Sequence, residues 1–352
     1  MNDDRRISFF DKYLTVWVFL CMVIGVLIGK YIPAFPEFLG KFEVSNVSIP
    51  IAVLIWLMIY PMMMKVNFTS IIKVKENPKG LYLTWVINWL IKPFTMYLIA
   101  SFFFFIVFKS IIPTDLATDY LVGAVLLGAA PCTAMVFVWS HLTKGDPAYT
   151  VVQVATNDVI ILILFVPIVK VLLNLSNVVV PWGTLLLSVV LFVVIPLALG
   201  IITRTTVINK KGEEYFNNSF INKFSNFTIV GLLLTLVIIF SFQGTVILNN
   251  PLHIILIGIP LTIQTFFIFF LAYFGARFLK LEHNIAAPAG MIGASNFFEL
   301  SVAVAIAVFG PTSPVALATI VGVLVEVPVM LTLVRIAKNT KKWFEKVPDI
   351  EV

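Results

Sequence analysis

The sequence predicts an all-α membrane protein: ten transmembrane helices in two inverted five-helix repeats, with helices 4 and 9 broken and meeting at a shared site. Three observations carry that prediction. Of 352 residues, 60% are hydrophobic and 12% charged, about half the charged share of soluble domains, and mean hydropathy is +1.03. Apolar runs of bilayer-spanning length, about 17–25 residues, recur from end to end. Two glycine-framed stretches echo each other, GAAPCTAMVFVWSHLTKG (Gly128 to Gly145) and GASNFFELSVAVAIAVFG (Gly293 to Gly310).

Ten spans fall near 13–29, 44–64, 81–108, 120–142, 148–170, 178–203, 224–242, 252–276, 285–309 and 314–335, joined by short polar segments. The first follows Arg5, Arg6 and Lys12 and lacks a small-residue cleavage site, so it reads as a retained helix rather than a signal peptide. It contains Gly25 and Gly29, a GxxxG that suits close helix contact, and Cys21, which reads as packing. Trp17, Trp85 and Trp182 sit near span ends, where amphipathic rings anchor at the interface. The polar stretch from Thr205 to Lys223, with KKGEE inside it, reads as a solvated cytoplasmic connector, and residues 339–352 as a cytoplasmic tail.

Charge gives orientation. With the N-terminus in the cytoplasm, 19 of the 24 basic residues fall in cytoplasmic segments. Only Lys30, Lys41, Lys109 and Lys170 lie outside, and Lys92 lies within a span. That bias predicts two cytoplasmic termini in a multi-pass protein of the cell membrane. The net charge of +6 therefore reports topology and not nucleic-acid binding. Ten spans divide into 13–175 and 178–338, and five being odd, the second repeat is inverted. The glycines agree in spacing (145 − 128 = 310 − 293 = 17), and a proline, Pro147 or Pro311, follows each closing glycine. The shift of 165 residues carries Asp158 to Val323, one turn from Glu326.

Four charged residues lie deep inside spans: Lys92, Asp158, Glu299 and Glu326. Each costs roughly 2.5–3.5 kcal/mol at the bilayer centre, so each needs a partner, water or a function. A proton or cation site is one reading, and a fixed ion pair of Lys92 with an acid is the other. Lys92 precedes Pro93, where a kink frees a carbonyl for the ammonium. Three carboxyls against one lysine predict that one carries a proton at rest. Pro131, and later Ser295 and Asn296, interrupt their helices. Unwound backbone at membrane depth is tolerated where protein buries it or water wets it. The plainer alternative is a pair of kinks serving packing alone.

Cys132 follows Pro131, where a helix N-terminus would favour a thiolate and a thiophilic substrate. A packing role is the plainer alternative. Asn157, Ser295 and Asn296 add oxygen ligands near the acids. Two cysteines and three histidines (His141, His253, His283, all near helix ends) predict neither a disulfide framework nor a closed metal site, and no cofactor is expected.

The segments GAAPCTAMVFVWS, VATNDVIILILFVP, SNFFELSVAVAIAVFG, VGVLVEVPVML and NWLIKPF closely resemble the arsenite efflux permeases, of the superfamily that includes bile acid–sodium symporters. The likeness covers nearly the whole chain. It implies ten helices in a core and a panel domain, crossing broken helices 4 and 9, and export of arsenite, in some members antimonite, by proton antiport. It assigns the essential cysteine to Cys132 and the essential ninth-helix glutamate to Glu299. The chemistry agrees: arsenous acid is neutral at neutral pH and thiophilic, and two cysteines cannot form a three-thiolate trap within one protomer. Substrate-contacting candidates are then Cys132, Glu299, Asn296 and Ser295, and coupling candidates are Glu299, Asp158, Glu326, Asn157 and Lys92. The wider superfamily also allows a sodium-coupled symporter of an organic anion. An intramembrane enzyme is disfavoured because no histidine lies at depth to activate the thiol. Nothing fixes oligomeric state; a homo-oligomer is compatible.

Overall fold

The computed structural model describes residues 14–44, 47–66, 78–132, 135–175, 178, 182–249 and 251–344. The basic residues Arg5, Arg6, Lys12, Lys73, Lys75 and Lys346 of the orientation count lie outside them. The protein is an all-α membrane protein, apart from a pair of two-residue strands, Glu43–Val44 and Val47–Ser48. In order come Leu14–Tyr31 (α1), Ala34–Gly40 (α2), Ile49–Met63 (α3), Pro78–Val107 (α4), Thr114–Gly128 (α5), Val136–Leu142 (α6) and Pro147–Leu175 (α7). Then follow Trp182–Lys211 (α8), Ile221–Phe242 (α9), Gly244–Asn249 (α10), Pro251–Phe278 (α11), His283–Ala294 (α12), Phe298–Phe309 (α13) and Pro314–Asn339 (α14).

Five of these, α4, α7, α8, α11 and α14, are long and apolar enough to cross a membrane, and α1 bends by 94° into α2. Leu90, Leu98, Ile106, Ile163 and Ile255 are exposed along them, a surface that only lipid accommodates without cost. Each predicted span contains a helix. The second starts later than expected, at Ile49, because Glu43–Val44 pairs antiparallel with Val47–Ser48. The fourth starts earlier, at Thr114 after Pro113, whose fixed φ suits a helix start.

Between helices, lipid removes most of the hydrophobic driving force, so close packing of small residues takes over. Here α9 lies between α1 and α3, with α8 on α3. The GxxxG pair explains the α1–α9 seam: a Cβ on Gly25 would stand 2.6 Å from the Val237 carbonyl oxygen, and one on Gly29 would collide with that of Ser241. A second group packs α4, α5, α11, α12 and α14 together, with α13 touching α5, α14, α8 and α3.

The expected connector at 205–223 is not an open loop. Helix α8 runs to Lys211, Gly212 turns the chain at φ +86°, and helical turns resume at Glu213 and lead into α9. The missed signal is Phe216, Phe220 and Phe224 at four-residue spacing, an apolar stripe whose rings contact in sequence and which buries Phe216 against Met64. Trp85 also departs from expectation, because its indole donates to Thr156 Oγ1 at 3.1 Å rather than serving only as an interfacial anchor.

Candidate functional site

The fourth and ninth spans are both interrupted. Helix α5 ends at Gly128 and α6 begins at Val136, while α12 ends at Ala294 and α13 begins at Phe298. In the first break Pro131 has no amide hydrogen to continue α5. In the second, Ser295 leaves α12 in an extended conformation. Such breaks free backbone groups that lipid cannot satisfy, and here the two breaks satisfy each other. The Cys132 amide donates to the Ser295 carbonyl at 3.3 Å, and the Phe297 amide to the Ala130 carbonyl at 3.0 Å. These bonds form an isolated antiparallel bridge centred on Pro131 and Asn296, two residues separated by the same shift as the glycine echo (296 − 131 = 165). Ser301 Oγ donates to the Leu126 carbonyl at 2.9 Å, capping an orphan acceptor in the last turn of α5.

Side chains converge on this crossing. Lys92 is fully buried, just after a π-turn at Ile87–Ile91, the local adjustment a proline at 93 favours. Its ammonium donates to the Ser295 carbonyl at 2.5 Å. The expectation that it would answer a carbonyl freed in its own helix is therefore corrected; among the described residues no carboxylate contacts the ammonium directly, and Glu326 acts on it through space. Glu326 Oε1 accepts from Ser295 Oγ at 2.5 Å and from the Asn296 amide at 3.2 Å. The Cys132 sulfur lies beside the Ser295 hydroxyl and within electrostatic range of Glu299, Glu326 and Lys92. The helix expected beside the thiol starts at Val136, and the backbone amide of its N-cap residue, Met135, donates a hydrogen bond to the Cys132 sulfur.

Glu299 occupies the first turn of α13, where a negative side chain suits the helix macrodipole. It lines a small apolar cleft with Ile55 and Met58 of α3, Leu236 and Ile239 of α9, and Val323 of α14. Its Oε2, Glu326 Oε2 and Asn296 Oδ1 are buried without hydrogen-bond partners among the described residues.

Asp158 and Asn157 stand apart from this cluster. Asp158 is fully buried, with both carboxyl oxygens unpartnered among the described residues. One turn earlier, Val154 packs in the apolar cluster that holds Cys132. Asn157 is not the free oxygen ligand expected, because its Oδ1 accepts from the Trp89 indole at 3.1 Å. Sequence reasoning that followed formal charges passed over Trp89, Ser301 and two neutral amides, Asn88 and Gln264, buried with no partner on either polar atom among the described residues. Uncharged amides inside apolar spans are a signal of the same kind. Among the described residues no group of three or more His, Cys, Asp or Glu is placed to hold a metal ion.

The crossing is chemically unlike a cavity of about 860 Å³ between α3 and α8, lined by Trp56, Leu57, Leu187 and Leu191 among others. Two of the hydroxyls along it are spent internally: Tyr60 on Thr203 at 2.7 Å and Ser188 on the Thr184 carbonyl at 2.8 Å. That groove suits hydrocarbon. The crossing offers a sulfur, two carboxyls, an ammonium and unwound backbone, a set suited to a small polar solute and a proton.

Comparison with known proteins bears on this chemistry. The Sodium Bile acid symporter family matches residues 52–250. The arsenical-resistance protein Acr3 of Alkaliphilus metalliredigens is 65% identical over 347 residues, covering 99% of this chain and 97% of that protein. The Acr3 arsenical-resistance protein of Corynebacterium glutamicum is 32% identical over 338 residues, covering 94% and 89%. An uncharacterized transporter of Synechocystis is 47% identical over 352 residues, covering 97% and 92%. The chain is thus a transporter by family, and it belongs to the arsenite efflux permeases, a branch of the sodium bile acid symporter family.

Proposed function

We propose that this protein exports arsenite from the cytoplasm by proton antiport with alternating access, and that antimonite is a second substrate. The observation that carries the reading is the bridge between the two breaks, which sets Cys132 among Ser295, Glu299, Glu326 and Lys92. In the proposed cycle the thiol replaces one hydroxyl of arsenous acid. An As–S bond forms, an As–O bond breaks, and the thiol proton leaves with the hydroxyl as water. Water reverses the step on the far side. A single thiol holds the solute weakly enough for release, and Ser295 and Asn296 contact its remaining hydroxyls. Glu299 is the proposed coupling carboxyl, with Glu326, Asp158, Asn157 and Lys92 setting its polar surroundings.

The repeats proposed are residues 13–175 and 178–338, followed by a cytoplasmic tail, with both termini on the cytoplasmic side of the plasma membrane. The 165-residue relation between Pro131 and Asn296 supports the inversion, since a two-fold relation pairs equivalent residues across its axis. Everted membrane vesicles test the function. Arsenite accumulation driven by a pH gradient without sodium is expected, whereas sodium-dependent uptake of an organic anion, with no arsenite transport, would replace this reading with the symporter.

A further inference from the structure

We infer that Lys92 is a tethered resident cation: its ammonium occupies the place at the crossing that a free sodium ion would need, so this protein binds none there. The family's name carries sodium, and unwound carbonyls at half-helix C-termini are where sodium binds in broken-helix transporters. Ser295 is such a position, the first residue beyond α12. The same break holds oxygens a hard cation prefers: the Ser295 carbonyl, Asn296 Oδ1 on the next residue, and the Glu326 carboxyl, whose Oε1 accepts from Ser295 Oγ and the Asn296 amide. Asn296 Oδ1 and Glu326 Oε2 are buried without partners among the described residues.

The fit fails at one atom. Lys92 Nζ lies 2.5 Å from the Ser295 carbonyl oxygen, and a hard cation of sodium's size sits about 2.3–2.6 Å from its oxygens, the Ca²⁺ range. The ion and the ammonium would coincide. Nor can the lysine swing out freely, since it is fully buried and a second carbonyl bond, from the Cys132 amide, fixes Ser295 in place. Glu326, within electrostatic range of the ammonium, provides the negative charge that either cation would balance.

The inference rests on reading the crossing as the ion-responsive site, but its test uses no arsenite, so the transport reading can fail without deciding it. Thermal unfolding of the purified full-length protein is followed in sodium chloride and in choline chloride of equal concentration. Wild type and Lys92→Arg are expected to show the same Tm in both salts. Lys92→Ala and Lys92→Gln are expected to gain a sodium-dependent rise of about 2–4 °C, which Glu326→Gln removes when combined with Lys92→Ala. A sodium response in wild type would overturn the inference, as would its absence from both lysine variants. Failure of both variants to fold in sodium counts against it equally, because the ion is required to restore the missing charge.

Discussion

Glu326 offers the sharpest test of how the second break is held. Its Oε1 accepts from the Ser295 hydroxyl at 2.5 Å and the Asn296 amide at 3.2 Å, so Glu326→Ala leaves two buried donors unanswered. In a soluble core each orphan costs about 1–3 kcal/mol. In a bilayer the unfolded chain also finds partners, and measured bonds average about 0.6 and reach about 1.7 kcal/mol. The membrane figures govern here because both states stay in lipid. Two bonds then give a loss of roughly 1–3.5 kcal/mol. At about 2–4 °C per kcal/mol, thermal unfolding in detergent should shift down by roughly 2–14 °C. Glu326→Gln also takes away the charge facing the Lys92 ammonium but keeps a carbonyl oxygen in the accepting position, so it should be less destabilising than alanine by about 0.5–1.5 kcal/mol. If glutamine proves as destabilising as alanine, charge rather than hydrogen bonding holds the break. If alanine matches wild type, Glu326 does not hold it at all.

Cys132→Ser should lower apparent arsenite affinity at least about tenfold, about 1.4 kcal/mol, and full arsenite resistance in cells expressing it at normal levels would remove sulfur from the mechanism. Glu299→Gln should retain its Tm, because Oε2 makes no hydrogen bond among the described residues, yet flatten the dependence of efflux on pH; an unchanged pH profile moves coupling elsewhere. Gly29→Leu should cost about 1–3 kcal/mol by overpacking, since its Cβ would meet the Ser241 backbone, while Gly183→Leu, with nothing within 4 Å, should be near neutral in the same unfolding assay.

Much of this was legible in the sequence because its strongest signals are local. Hydropathy marked each span, since every backbone group in lipid must be satisfied within a helix. The breaks were legible at Pro131 and at Ser295–Asn296, because a missing amide hydrogen and competing polar side chains act on their own neighbours. What the chain did not reveal depends on partners far along it. Lys92 looked destined for its own helix or an acid, and its partner lies 203 residues away. Asn157 looked like a free ligand until Trp89, 68 residues away, claimed its oxygen. In the stretch 205–223 the polar residues correctly suggested solvent, since most of it is exposed, but they hid its helical form, which Phe216 and Phe220 already signalled by their spacing.

The bridge also constrains how such a molecule can move. The amides of Cys132 and Phe297 have their acceptors in the opposite break, and Leu126 is capped from α13. Opening the crossing would expose at least these groups at once in a region where water is scarce and an unsatisfied group costs several kcal/mol. By contrast, the cleft beside Glu299 joins α13 and α14 to α3 and α9 mainly through apolar side chains such as Ile55, Met58, Leu236 and Val323. Dispersion contacts of about 0.1–0.2 kcal/mol per atom pair can be exchanged one by one as surfaces slide, whereas backbone bonds at depth cannot. Motion during transport is therefore expected to leave the crossing intact and to occur along that cleft, which makes Glu299 the acidic group whose surroundings change most between states. Disulfide or spin-label pairs across Ile55 and Val323 should report a distance change on adding substrate, and pairs across Ala130 and Phe297 should not. The reverse pattern would place the moving boundary inside the crossing itself.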